Sequence, residues 1–223
     1  MAENPQVLTR QLESTLATNS VIRNTYILLS LTLLFSALTA GVAMVTNAPM
    51  LNVWLVLGGY FGLLFVTHKL RNSAWGLLAV FALTGFMGYT LGPLLNAYIG
   101  HYANGAQLVT YALGGTGVIF IGLSAYALTT RKDFSFMGGF LMAGILIAFL
   151  AGVGNIFFAM PGLALAVSTM FMLLMCGLIL YETSNLVHGG ETNYILATIT
   201  LYVSIYNLFT SLLHILGVTS GDD

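Results

Sequence analysis

The chain is 223 residues long, 58% hydrophobic and only 6% charged, with mean hydropathy +0.92 and six Lys and Arg against seven Asp and Glu. A soluble globular domain carries about 25% charged residues, so this composition excludes a water-facing surface and requires an exterior that faces lipid. The charge balance excludes a basic nucleic-acid footprint, and a single cysteine, Cys176 in an apolar run, excludes an intrachain disulfide.

Residues 1–24 are polar and contain Arg10 and Arg23. A secretory signal would place its apolar region much nearer the start and end on a small-residue cleavage site. The first apolar run is therefore read as a retained helix behind a cytoplasmic N-terminal tail. A spanning helix needs about 20 mostly apolar residues at about 1.5 Å rise each. Seven runs qualify: Tyr26–Val45, Leu51–Thr67, Trp75–Ile99, Leu108–Thr129, Phe136–Phe158, Gly162–Asn185 and Tyr194–Gly217. The spacing predicts an all-α membrane protein with one seven-helix domain over 25–217 and a short external tail over 218–223. Short connections hold breakers such as "TNAP" at Thr46–Pro49 and "MPG" at Met160–Gly162.

The third run carries Gly88 and Gly92 in GxxxG spacing, which favours close helix packing, and Pro93, which is expected to kink it. The fourth contains "GLSA" at Gly122–Ala125, which lacks the second glycine of a serine-nucleophile segment. The sixth ends on Glu182, the only acid inside any of the runs. A carboxylate in hydrocarbon is expected to be paired, functional, or snorkelling to the interface. The turn "HGGE" at His188–Glu191 then sends the chain back as the seventh helix. There Thr200, Ser204, Asn207, Ser211 and His214 follow at steps of four and three, which places them on one face. Such a stripe belongs toward a bundle interior, so the seventh helix is predicted to be central, with six around it.

Basic residues orient the chain. Arg10 and Arg23 precede the first helix, Lys69 and Arg71 follow the second, and Arg131 and Lys132 follow the fourth. All lie on one side, which makes the N-terminus cytoplasmic and the C-terminal "SGDD" external. Glu182 then lies near the cytoplasmic end of the sixth helix. The residues expected to form a proton or ion sensor are Glu182, Ser204 and Asn207, with Lys69 or Arg71 near enough to pair with the carboxylate.

"YETSNLVHGGETNYI" with "LYVSIYNLFTSLLHILG", together with "RNTYILLSLTLLFSALTA", "GFMGYTLGPLLNAY" and "TTRKDFSFMGGFLMAG", resembles the Bax inhibitor family of seven-helix membrane proteins, and most of all its bacterial YccA branch. The resemblance implies six helices around a central seventh and, in the better understood members, a pH-sensitive calcium leak. The acid pair of that leak falls on Glu182 and Ser204, and its basic position on Leu70, flanked by Lys69 and Arg71. A serine cannot carry charge, so a Glu–Ser pair lacks the coupled titration of two carboxylates and offers calcium one charge fewer.

The YccA branch implies instead a membrane-embedded modulator and slow substrate of the AAA+ protease FtsH in a bacterial inner membrane. Its partner contact would fall on the tail that includes Met1, Arg10 and Arg23, since a polar terminus is what a processive protease grips. Catalysis is not expected. His214 has no paired nucleophile motif, and His188 and Glu191 lack further ligands for a metal. The seventh helix has no Lys for a Schiff base, and no phosphate-binding glycine loop occurs. No cofactor is expected, calcium being the single candidate.

Overall fold

The computed structural model describes residues 5–220, with side chains from residue 16 onward. Among these the chain forms seven α-helices and one 3-10 turn, with no strand. In order they are α1 (Pro5–Val45), α2 (Val53–Leu70), α3 (Trp75–His101), α4 (Gly105–Thr130), α5 (Gly138–Phe158), α6 (Pro161–Val187) and α7 (Tyr194–Ser220), with the turn Ser135–Met137 ahead of α5. All seven are long and apolar enough to cross a bilayer. In hydrocarbon an isolated segment satisfies its own backbone polar groups only as a helix. The protein is an all-α, multi-pass membrane protein.

The largest difference from the predicted elements is at the N-terminus. α1 begins at Pro5 rather than Tyr26, so the backbone of the polar segment continues the helix of the first span. Proline suits the first helical position, and no Gly or Pro interrupts the chain between Gln6 and Ala40. Other ends follow local chemistry. Asn52 Oδ1 accepts the Trp54 N–H at 2.9 Å and starts α2. Left-handed residues stop α4 at Arg131 (φ 51°) and α5 at Ala159 (φ 48°). Pro161 opens α6.

α1 and α3 make the most extensive contact in the bundle. A Cβ at Gly88 would collide with the Ser36 carbonyl and the Thr39 hydroxyl, and one at Gly92 with Ala43 and the Ala40 carbonyl. The GxxxG pair therefore lets two backbones approach. Pro93 lies inside α3, which continues to His101.

α7 is the most enclosed of the seven spans and α2 the least. It packs on α1, α3, α4 and α6. α2 joins the bundle through α3, and α5 through α6.

Candidate functional site

The end of α6 carries three consecutive buried polar residues: Glu182 is 5% exposed, Ser184 1% and Thr183 0%. Ser184 holds the α4–α5 connection. Its hydroxyl donates to the Lys132 carbonyl at 3.0 Å and accepts the Phe134 N–H at 3.0 Å. In the same connection Asp133 accepts the Ser135 N–H at 2.8 Å, which holds its carboxyl below the ordinary carboxylate range. Thr183 Oγ1 lies 3.3 Å from the Tyr26 hydroxyl of α1.

Glu182 is placed differently from the pairing expected. Among the described residues its carboxylate makes no ion pair and accepts no hydrogen bond from Ser204 or Asn207. The Ser204 hydroxyl donates to the Thr200 carbonyl at 2.7 Å, and Asn207 Nδ2 donates to the Val203 carbonyl at 2.9 Å. Both side chains bond back to their own helix one turn earlier, an outlet always within reach of a short polar side chain in a helix. Lys69 is exposed, which keeps its ammonium hydrated. The Arg71 guanidinium lies 3.4 Å from the His68 ring.

The stripe on α7 is split. Ser204 and Ser211 are buried, while Thr200, Asn207 and His214 are half-buried. His214 Nδ1 lies 2.9 Å from the Ser168 hydroxyl of α6. Ser124, the serine of "GLSA", is buried with no hydrogen-bond partner for its hydroxyl among the described residues. The described residues contain no cluster of three or more His, Cys, Asp or Glu able to hold a metal.

A second polar line on α7 was missed by the sequence reading, namely Thr198, Tyr202 and Tyr206. The Tyr202 hydroxyl bridges Ser36 of α1 at 2.6 Å and donates to the Thr84 carbonyl of α3 at 3.2 Å. The Tyr206 hydroxyl lies 3.2 Å from Thr90 Oγ1 of α3. Thr198 donates to the Thr25 carbonyl of α1 at 3.3 Å and to Tyr194 at 2.7 Å. The signal was available: the three residues recur every four positions, and a tyrosine in an apolar run must find a partner for its hydroxyl.

Asn193 ties the α6–α7 turn to the α2–α3 turn. Its amide donates to the Arg71 carbonyl at 3.2 Å and to Asn72 Oδ1 at 2.8 Å. Its oxygen accepts the N–H groups of Ile195 and Leu196 at 3.0 and 3.2 Å, capping α7. Glu191 in turn accepts the Asn193 N–H at 2.6 Å. The acid and amide of this turn are thus structural. In the N-terminal segment Arg23 is exposed. Met1 and the Arg10 side chain lie outside the described residues.

The family described as "Inhibitor of apoptosis-promoting Bax1" matches residues 18–221. An uncharacterized protein of Pseudomonas aeruginosa is 57% identical over 205 residues, 92% of each chain. A protein of Escherichia coli K12 described as "Modulator of FtsH protease YccA" is 54% identical over 209 residues, 94% of each chain. Its counterpart in E. coli O6:H1, described as "Inner membrane protein YccA", matches at 54% over the same share.

Proposed function

The chain belongs to the Bax inhibitor family of seven-helix membrane proteins, and from that premise we propose that it is an integral modulator and slow substrate of the membrane AAA+ protease FtsH. One observation carries this reading: 54% identity, across 94% of both chains, to a protein described as a modulator of that protease. Two features support it. The helical extension of α1 from Pro5 offers a terminus outside the apolar core, and a helix must be unwound before a processive enzyme can pull on it, so entry is slow. The polar groups of α7 are also largely satisfied within the bundle, which suits a protein that acts by contact rather than chemistry. The Ser168–His214 contact has no acid beside it among the described hydrogen bonds to orient the ring.

The same reading places the protein in a bacterial inner membrane with its N-terminus cytoplasmic, since all six Lys and Arg fall on that side. Affinity purification from native membranes tests it. FtsH subunits should co-purify with the full chain, and fewer should do so when the first 15 or so residues are removed. Absence of FtsH from the purified material would overturn the reading.

A second reading, a pH-sensitive cation leak, rests on the buried Glu182 carboxylate, which has no basic partner among the described residues. Its weakness is Ser204, which carries no charge. Ser204→Asp would recreate the acid pair of the family's calcium-conducting members, and liposomes bearing it should then pass calcium faster than those bearing the parent.

A further inference from the structure

Between α2, α3, α5, α6 and α7 lies a cavity of about 510 Å³, within the roughly 300–1,000 Å³ typical of small-molecule sites. It exists because α2 rests on α3 and α5 on α6. Across the mouth, α2 and α5 face each other through Phe61 and Phe149, at 5.6 Å between ring centroids. Lining residues at the mouth are lipid-exposed: Phe61 at 47%, Met142 at 72% and Leu146 at 57%. The cavity therefore opens sideways into hydrocarbon.

Its inner wall is apolar except at a few atoms. Tyr206 and Thr90 satisfy each other at 3.2 Å. Asn207 uses its Nδ2 on the Val203 carbonyl, which leaves Oδ1 without a donor among the described residues. The Tyr60 hydroxyl likewise has no partner among them. Neither atom is sealed from access. Asn207 is the central residue of α7, about 20 Å along the helix from either end. An open acceptor and an open donor at mid-membrane depth, in a cavity that faces lipid, call for a ligand with a matching polar end.

We propose that this cavity binds a neutral single-chain amphiphile drawn from the bilayer, a long-chain fatty alcohol or protonated fatty acid, with its terminal O–H directed to Asn207 Oδ1 and the Tyr60 hydroxyl. A hydroxyl both donates and accepts, which is what this pair of atoms lacks. A phospholipid headgroup does not fit, because no Lys or Arg lines the cavity to meet a phosphate at that depth. A partner helix satisfies its own backbone polar groups in hydrocarbon and so brings no free O–H to this pair of atoms. The Phe61–Phe149 pair between α2 and α5 flanks the side entrance. This site stands apart from the protease-modulating role and does not depend on it.

Photolabelling of the full-length protein in lipid nanodiscs tests the proposal, with a diazirine-bearing long-chain alcohol, the matching fatty acid and the matching alkane as probes. The alcohol should label segments of α2, α5 and α7 saturably, and unlabelled alcohol should compete. The acid should do so only where it is protonated, and the alkane should label without saturating. Asn207→Leu should raise the competing concentration about tenfold, the equivalent of one hydrogen bond of about 1.4 kcal/mol. Val203→Trp should abolish labelling by filling the cavity. Leu146→Trp, at the exposed mouth, supplies the same block should the interior variant fail to fold. Equal labelling by alcohol and alkane would mean bulk lipid fills the space and would overturn the proposal. So would labelling unchanged in folded Leu146→Trp.

Discussion

Glu182 is a buried acid whose expected hydrogen-bond partners, Ser204 and Asn207, bond back to their own helix instead. Removing one member of a buried ion pair is strongly destabilising, because the remaining charge is stranded. No Lys or Arg pairs with Glu182 among the described residues, so Glu182→Gln strands nothing. The variant should elute as the parent does and melt at the same temperature or slightly higher. A large loss of stability would reveal a cation bound to the carboxylate. Tyr202 is the opposite case, with its hydroxyl joining α1, α3 and α7. Tyr202→Phe leaves both of those groups short of a partner and should cost about 1 kcal/mol, measurable by thermal unfolding in detergent.

At the scale of elements, close approach and end caps decide which helices are neighbours. Gly92→Leu would drive a side chain into the α1 backbone and should sharply reduce the yield of folded protein. Gly41→Leu, at a half-buried glycine with open space at its Cβ position, should not. Asn193→Ala removes the α7 cap and the tie to the α2–α3 turn together, a loss of about 1–2 kcal/mol. All seven spans were legible in the sequence, because hydropathy over about 20 residues reports on bilayer thickness and little else. The GxxxG contact was legible for the same kind of reason, since only glycine permits it. What could not be read was where each polar side chain would bond. Ser204 and Asn207 share a face with the rest of their stripe, yet periodicity cannot tell a hydroxyl that reaches across the bundle from one that folds back on its own carbonyl. The extension of α1 to Pro5 was hidden because polarity was read as the end of a helix, when it marks only the end of the hydrocarbon.

For the whole molecule, the proposed topology and the proposed partner stand together, because a protease acting from the cytoplasm would need the N-terminus on its side. A cysteine at Ala2 should be labelled only from the cytoplasm, and one at Ser220 only from outside. Removing the first 15 or so residues should leave the bundle folded, because that polar segment precedes every apolar span. It should also lengthen the half-life of the protein in cells. The most direct test of the central claim is reconstitution of FtsH in proteoliposomes with a membrane substrate, with and without this chain. The account predicts that the added chain slows degradation of the substrate while being consumed slowly itself. An unchanged substrate rate, with the added chain fully intact at the end of the reaction, would contradict it.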